Sequence, residues 1–531
     1  MRTIKYIMAA MIVFITSCGE DFVELSNPNL LTSGSFWQTE TDAQLGANAL
    51  YQALIYDGTY MRFGPWIMDV RADDALSVTP GYYPEDVANY IVDAANIAYS
   101  FPWEHNYIGV WRANQVLDNV SDIPMDESLK SRILGEAHFI RGLCYFNLLN
   151  LFRNIVIYEH VAQSTDDYYI PQSAPEESWD LVIRDFTDAV DLLWTKDVTE
   201  TGRATKGAAA AFLAKSLMIN QRFSEAAPVL LDIINTVHGG NQKYGLYDLV
   251  PEFRDNFTEA NENNIESLFE IQYDGEIPGL SVQGFTGDPA SDWLKTDAHH
   301  KGLAAQPFGW GDLAPNPWIY EKFQEEKTLD DKWDPRMEAS LLFEHPGDTT
   351  YKVYGYDQSK LQEMTFATPD VVPDNYKVFI RKWLTENETV ELAWRSGINR
   401  RIMRYDDVLL LYAECMNEAN NRAEAAKFVQ IIRDRVGLAD REAEFAALSQ
   451  EGMRDRIDHE RLLEFAFEGW RYVDMLRWGW FDPNSPNYKI DELKARDPEY
   501  INWTPGREYM AIPPTEIERT NGIVRQNPGW N

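Results

Sequence analysis

The segment RATKGAAAAFLAKSLMINQRFSEAAPVLLDIIN, residues 203–235, carries the most regular pattern in the chain. A stretch rich in small residues ends near Asn220, a polar turn follows, and an amphipathic stretch begins at Ser224. Ala214 and Ala226 stand twelve positions apart, and small side chains at these two places let a pair of helices approach closely. The segment therefore predicts a helix pair of the tetratricopeptide-like repeat type.

The same pattern recurs in RYDDVLLLYAECMNEANNRAEAAKFVQIIRDRVGL, residues 404–438. Ala413 and Ala425 have the same twelve-residue separation, and Gly437 suits the end of the second helix. Apolar residues at three- and four-residue spacing predict further packed helices over residues 42–56, 107–120 and 131–152. These spans predict a mainly α, helical-repeat scaffold.

A long insertion separates the two repeat segments. Residues 239–399 are rich in Gly, Pro, Asn, Asp, Trp and Tyr, with short strand-like runs such as SLFEIQY and YKVFIRKW between turn signals. Long irregular segments inside a compact protein are usually functional. We expect this loop-rich, partly β insertion to lie across the helical scaffold and to form the binding face.

The charge and size of the chain restrict its partners. Its 531 residues suffice for one large domain or for two to three ordinary ones. The formal net charge of −36 repels phosphate backbones and anionic lipid headgroups, so nucleic acid is not expected as a partner. The electrostatic field of this net charge acts only weakly on an uncharged ligand.

The start of the chain has the layout of a secretory signal. Arg2 and Lys5 precede an apolar run over residues 7–15, and Cys18 follows directly after two small residues. The run is shorter than the roughly 20 helical residues that span a bilayer. A cysteine at the cleavage point resembles the bacterial lipoprotein signal, in which that cysteine is lipidated and becomes the first residue of the mature chain.

Residues 1–17 are therefore expected to be a removed signal peptide, with Cys18 as the lipidation site. Glu20 and Asp21 resemble the acidic tag that sends some lipoproteins to the outer face of the outer membrane. The other two cysteines, Cys144 and Cys415, lie in apolar helical patterns and are expected to be buried thiols.

Several motifs together resemble the SusD-like or RagB-like outer-membrane nutrient-binding lipoproteins. They follow one another in the order of that family and, with the lipoprotein start, span nearly the whole chain. The motifs are ILGEAHFIRGLCYFNLLNLF (residues 133–152), RATKGAAAAFLAK (203–215), MRYDDVLLLYAECMNEA (403–419), HERLLEFAFEGWRYVDMLRWG (459–479), and YMAIPPTEI with RQNPGW (509–517 and 525–530).

The resemblance implies one domain over residues 18–531, with about four tetratricopeptide-like helix pairs supporting a loop-rich face. Helical repeats would occupy about 39–238 and 400–480, the insertion about 239–399, and a C-terminal extension about 481–531. Members of the family are lipid-anchored on the cell exterior. They capture a glycan, or in some cases a peptide, and deliver it without cleavage to a SusC-like TonB-dependent transporter. No cofactor is implied.

Seventeen tryptophans offer rings for a glycan, since an indole covers the apolar face of a sugar while polar groups bind its hydroxyl rim. Loop context, and the regions that bind glycans in related proteins, select candidates before the 107–120 helix and in the insertion. The candidate glycan-binding residues are Trp66, Arg71, Asp74, Tyr82, Tyr83, Trp103, Asn106, Trp293, His299 and Trp310.

Metal and catalytic sites are not expected. The carboxylates Glu460, Glu464 and Glu468 lie at four-residue spacing but lack the Glu-x-x-His pairs of a di-iron bundle, so we expect structural ion pairs. The adjacent His299 and His300 are expected to point apart. No pair of acids is singled out for glycoside hydrolysis, which leaves a glycan-cleaving enzyme as a remote alternative and a peptide-binding protein as a nearer one.

Overall fold

Helices make up most of the chain, as the spacing of its apolar residues predicts. The computed structural model describes residues 36–79, 83–91, 96–235, 243–275, 299–393 and 396–530. The helices of the first half are α1 (Glu40–Gln52), α2 (Phe63–Val70), α3 (Tyr83–Ala88), α4 (Ile97–Asn119), α5 (Glu127–Phe152), α6 (Pro175–Leu192), α7 (Lys206–Ile219) and α8 (Phe223–Asn235). Each helix from α5 to α8 packs against the helix that precedes it in this order.

Shorter helices fill the insertion and the C-terminal part. They are α9 (His299–Leu303), α10 (Pro317–Phe323), α11 (Pro335–Ser340), α12 (Lys360–Glu363), α13 (Glu388–Ala393), α14 (Tyr405–Glu418), α15 (Arg422–Arg435), α16 (Glu442–Ala446), α17 (Gln450–Phe465), α18 (Trp470–Arg477), α19 (Ile490–Arg496) and α20 (Pro514–Arg519). The long pair α14 and α15 is the second repeat that the sequence predicts.

Close packing of the repeat helices follows from their small residues. Ala214, Ala226, Ala413 and Ala425 are all completely buried where α7 meets α8 and α14 meets α15. Helix α8 also packs against α14, so the chain returns to the scaffold after the long insertion. Gly437 adopts a φ of +74° just beyond α15, a left-handed conformation that glycine accepts without strain. The predicted mainly α, tetratricopeptide-like scaffold is confirmed.

The strands of the described residues form four small antiparallel pairs. β1 (Ala75–Ser77) pairs with β3 (Leu313–Pro315), and β2 (Ser267–Ile271) pairs with β8 (Arg400–Arg404). β4 (Leu341–Leu342) pairs with β7 (Phe379–Ile380), and β5 (Lys352–Val353) pairs with β6 (Tyr356–Asp357). The first two pairs attach the insertion to the scaffold, because each joins segments far apart in the chain.

The charged motif of residues 459–479 divides into α17 and α18. The chain breaks between them, where Phe467 and Gly469 both have positive φ. Glu460, Glu464 and Glu468 are buried and bind guanidinium and ammonium groups of other elements, as the sequence predicts. They connect α17 to the insertion and to the second repeat pair.

The last residues of the chain close against the end of α5. Arg153 caps this helix with a φ of +60°. The Asn527 amide donates to the carbonyl oxygens of Phe152 and Met510, at 2.6 and 2.8 Å, and its oxygen accepts from Asn154 at 2.8 Å. These bonds hold the C-terminal segment beside α4 and α5.

Cys144 and Cys415 are free and buried, as expected. Burial raises the pKa of the Cys144 thiol to about 12, so the thiol remains protonated at neutral pH. Among the described residues, no helix is both long enough and apolar enough to traverse a bilayer. Cys18 and the expected signal peptide lie outside the described residues.

Candidate functional site

The described part of the chain contains an open cleft of about 620 Å³. One wall is the exposed side of α4, from Trp103 to Asn114, and the opposite wall is the irregular segment 156–169. The end of α20 and residues 520–524 close the third side. We call this cavity the aromatic cleft, because six of its lining residues are Trp or Tyr: they are Trp103, Tyr107, Trp111, Tyr158, Tyr168 and Tyr169.

The floor of the aromatic cleft consists of packed rings. Trp103 is 4% exposed and lies between Tyr107 and Phe152, with ring centroids at 4.9 and 5.1 Å. Tyr107 in turn contacts Tyr158 at 5.9 Å, edge to face. Because Trp103 supports the other rings and presents little surface, it determines the shape of the cleft more than it contacts solvent.

The rim of the aromatic cleft carries exposed rings. Trp111 is 50% exposed, Tyr168 is 51% exposed and Tyr169 is 42% exposed. Large aromatic side chains usually bury most of their surface, so three half-exposed rings around one cavity indicate a binding surface. Trp111 projects from α4, whereas the two tyrosines come from the facing segment.

Hydrogen bonds fix the facing segment against α4 and α5. The Tyr107 hydroxyl accepts from the Val156 amide at 2.9 Å and donates to the Val156 carbonyl oxygen at 2.8 Å. Tyr145 makes the same pair of bonds with the Tyr158 backbone, at 2.7 and 3.0 Å. The Asn114 amide donates to the Tyr158 carbonyl oxygen at 2.8 Å. The irregular wall is therefore held by buried side chains.

A short 3-10 turn positions the exposed tyrosines. It spans Thr165–Tyr168, and the Asp167 carboxylate accepts from the backbone amides of Gln163 and Ser164, both at 2.8 Å. These bonds lower the pKa of Asp167 and keep it ionised. The turn presents Tyr168 and Tyr169 without burying either ring.

Two carboxylates and one guanidinium are the charged groups in the described lining of the aromatic cleft. Glu104 lies beside Trp103 on α4, and Glu516 comes from α20. Burial and the nearby charge of Glu516 raise the pKa of Glu104. Arg519 donates to the Glu516 carboxylate at 2.7 Å. The cleft thus offers hydrogen-bond acceptors below its aromatic rim.

Several residues predicted to contact a ligand lie in the core instead. Trp66 is 1% exposed, and its indole donates to the His299 carbonyl oxygen at 3.2 Å. Asn106 is equally buried, donates to the Pro102 carbonyl oxygen and accepts from Asn147. The expectation that these side chains are accessible is wrong, because α2 and the start of α4 pack beneath the insertion.

Arg71, Asp74 and His299 are also buried and are bonded to other protein groups. Arg71 lies over the Tyr90 ring at 4.6 Å and donates to the Tyr472 hydroxyl at 3.1 Å. Asp74 accepts from the Phe467 amide at 2.9 Å, and burial raises its pKa to about 6. The predicted exposure of these polar groups is therefore wrong as well, since they bind segments of the chain to one another.

His299 illustrates how the insertion is anchored. Its ring nitrogens lie 3.1 Å from the Asp69 carboxylate and 2.8 Å from the Arg400 guanidinium, and burial lowers its pKa well below the usual range. His300 instead faces Glu391, with its Nε2 at 3.5 Å from the carboxylate. The two histidines point to different partners, as expected, and both are completely buried.

The remaining candidates have different positions. Trp310 is half-buried and contacts Trp66 edge to face at 6.0 Å, so it retains partial exposure at the insertion. Tyr83 begins α3, and its side chain is not described. Tyr82 and Trp293 lie outside the described residues. Of the predicted site residues whose side chains are described, only Trp103 lines the aromatic cleft.

Within the described residues, two groups of side chains lie close enough together to act as metal ligands. They are His138 with Asp185 and Asp188, and Glu266 with Asp406 and Glu464. In the first group Arg141 binds both oxygens of Asp185. In the second, Arg404 and Arg435 bind the carboxylates. Guanidinium groups thus already bind carboxylate oxygens in both clusters.

Sequence reasoning missed Trp111, Tyr158, Tyr168 and Tyr169. One signal was present, since Trp103, Tyr107 and Trp111 follow one another at four-residue spacing and so share one side of a helix. The contribution of α20 had no local signal, because it depends on a contact across most of the chain.

The architecture is that of a helical-repeat protein with an open aromatic cleft on its surface. The chain belongs to the SusD family, whose family model matches residues 244–530, more than half of the chain. A second family model, described as starch-binding and associating with the outer membrane, matches residues 21–218. The resemblance drawn from the motifs is thereby confirmed.

Relatives match along their whole length. Two SusD-like proteins of Formosa agariphila are 24% and 26% identical to this chain, over 100% and 99% of it and over 99% and 100% of their own lengths. A SusD superfamily protein from Bacteroides vulgatus has a similar structure, with a TM-score of 0.76 and 25% identity over 93% of this chain and 100% of that one. A laminarin-binding SusD-like protein shares the fold at a TM-score of 0.73 and 24% identity, with the same coverage.

Proposed function

We propose that this protein captures a glycan in the aromatic cleft at the cell surface and delivers it uncleaved to a SusC-like TonB-dependent transporter. The observation that carries the proposal is the set of exposed rings of Trp111, Tyr168 and Tyr169 around one cavity. Such rings exclude water from the apolar faces of sugar rings, while carboxylates accept hydrogen bonds from hydroxyl groups. Membership of the SusD family supports the same role.

The stacking role of the rim is tested with Trp111→Ala. Because the Trp111 side chain is half-exposed on a long helix, its removal changes folding stability little, within about 0.5 kcal/mol. One lost aromatic contact of about 0.5–1.5 kcal/mol weakens glycan retention about 2- to 10-fold, and Trp111→Ala with Tyr168→Ala weakens it further. Affinity electrophoresis against a polysaccharide panel measures retention.

Tyr356→Ala is the matched control, since Tyr356 is 47% exposed on β6 and does not line the aromatic cleft. Retention that survives the double variant, or that depends on Tyr356 instead, would contradict the site. Trp103→Ala is a poor test, because removing a buried indole opens a cavity and costs about 3–5 kcal/mol of stability.

Delivery without cleavage has two readouts. Incubation of the purified protein with a retained polysaccharide is expected to release no new reducing ends, whereas a glycan-cleaving enzyme would release them. A tagged, membrane-anchored form is expected to co-purify with a TonB-dependent transporter from solubilised outer membranes. Recovery of the tagged protein with no transporter would argue against the delivery step.

A further inference from the structure

We propose that the aromatic cleft selects uncharged glycan segments and rejects glycans that carry sulfate or carboxylate groups. This inference rests on the proposed function and concerns the class of glycan that the same site takes. It follows from the charged groups of the cleft rather than from its rings, because the apolar faces of neutral and anionic sugars stack equally well on an aromatic side chain.

The charges of the cleft are arranged around Glu104. This carboxylate is half-buried on α4, between the rings of Trp103 and Tyr107 in sequence, and Glu516 approaches it from α20. Arg519 is the sole Lys or Arg among the described lining residues, and it already binds Glu516. Two carboxylates and one guanidinium leave a net charge of −1 in the lining.

His160, the remaining basic side chain of the described lining, also lies beside a carboxylate. His160 places its Nδ1 at 2.8 Å from Asp118, whose second carboxylate oxygen accepts from the Val161 amide at 2.8 Å. Asp166 and Asp167 add exposed negative charge on the turn that carries Tyr168. Each basic side chain in the described lining therefore already lies against a carboxylate, which weakens its attraction for an anion.

Hydrogen-bond complementarity leads to the same selection. Glu104 and Glu516 accept hydrogen bonds, and sugar hydroxyl groups can donate to them. A sulfate or uronate group has no proton to donate at neutral pH, and it meets like charge in a partly desolvated cleft. The field of a chain with a net charge of −36 adds a weaker repulsion that salt screens.

The inference is tested by affinity electrophoresis with laminarin and other uncharged glucans beside alginate and carrageenan, at low and high salt. The wild-type protein is expected to retain at least one uncharged polysaccharide and to bind the polyanions at least about tenfold more weakly. The difference in retention between uncharged polysaccharides and polyanions is expected to become smaller at high salt, because salt screens the repulsion. Glu104→Arg is expected to strengthen polyanion retention at least about threefold.

Glu252→Arg is the matched control, since it makes the same charge change at an exposed position outside the cleft. Polyanion retention that equals or exceeds that of uncharged glycans would overturn the inference. If Trp111→Ala then abolished the retention of polyanions, the proposal of glycan capture in the cleft would stand. Only the proposed selectivity for uncharged glycans would be wrong. Retention of no polysaccharide of either class would refute both the proposed function and this inference.

Discussion

Glu391 couples the stability of the insertion to pH. Its carboxylate is completely buried and accepts from the amide and the hydroxyl of Thr385, at 2.9 and 3.0 Å. Burial outweighs these bonds and raises its pKa to about 8. The group is therefore protonated in the folded protein at neutral pH and ionised in the unfolded chain.

Glu391→Gln is expected to flatten the pH dependence of stability. Between an unfolded pKa of about 4.3 and the folded value, the native state binds one more proton, so stability falls as pH rises through this window. The glutamine side-chain amide cannot ionise, so the variant loses this pH dependence of the free energy of unfolding. The lost slope is at most about 1.4 kcal/mol per pH unit. Urea unfolding between pH 5 and 8.5 measures the difference, with the exposed Glu388→Gln on the same helix as control. Parallel profiles for wild type and Glu391→Gln would show that the group is not protonated in the fold.

Other single residues explain why the site was only partly predictable. Arg71, Asp74 and His299 are polar residues in loop-like sequence, which usually indicates an exposed position. In the structure each is paired inside the protein, with Tyr472, the Phe467 amide and Asp69 respectively. Because those partners lie far away in the chain, local composition gives no sign of the burial.

At the scale of elements, α4 and α5 pack unusually closely where they carry the aromatic cleft. A Cβ atom at Gly109 would lie 2.4 Å from the Cys144 sulfur and 3.4 Å from the Cβ of Ala53. Glycine at this place lowers the helix propensity of α4 by about 1 kcal/mol relative to alanine. The close contact of the two helices is thus obtained at the expense of local helix stability.

Gly109→Ala is expected to destabilise the protein by about 1–3 kcal/mol, because overpacking outweighs the gain in helix propensity. Cys144→Ala removes the clashing sulfur, so the double variant is expected to be more stable than the sum of the single changes by at least about 1 kcal/mol. Chemical denaturation of the four proteins gives this coupling energy. If the changes in the free energy of unfolding were strictly additive, a side chain at position 109 would not contact Cys144.

The helices themselves were largely predictable. Apolar periodicity and small-residue spacing predicted α5, α7, α8, α14, α15 and the part of α4 from Tyr107 onward, since these patterns arise from contacts with the adjacent helix. The break between α17 and α18 was not predicted, because Phe467 takes a positive φ that its side chain does not favour. Buried bonds such as that from the Phe467 amide to Asp74 support this conformation.

At the scale of the whole molecule, a buried ionic network joins the repeats to the insertion. Arg404 binds Glu266 at 2.9 Å and Glu468 at 2.8 Å, and Glu460 binds Arg336 at 2.9 Å and Arg433 at 3.0 Å. Such pairs fix geometry more than they add stability, since desolvation offsets much of their attraction. The network holds α17 in one position relative to the insertion.

Cys18→Ala is expected to release the protein from the membrane. Acyl chains add about 0.8 kcal/mol per buried methylene, so several of them on one cysteine would anchor the chain stably without a spanning helix. Fractionation of cells that express each form measures the change, with Trp111→Ala as a control that keeps the anchor. A Cys18→Ala form that stays in the outer-membrane fraction and is labelled by fatty acid would contradict lipidation at this residue.

The sequence by itself determined the helical-repeat scaffold and the family, because both depend on residues that lie close together in the chain and on motifs in a fixed order. Only the tertiary structure decided which aromatic rings are accessible. Trp66, in a loop-like stretch of sequence, is buried beneath the insertion, whereas Trp111, in a predicted helix, remains half-exposed beside α20. Exposure depends on which distant segments cover a side chain, and that information is not local to any stretch of sequence.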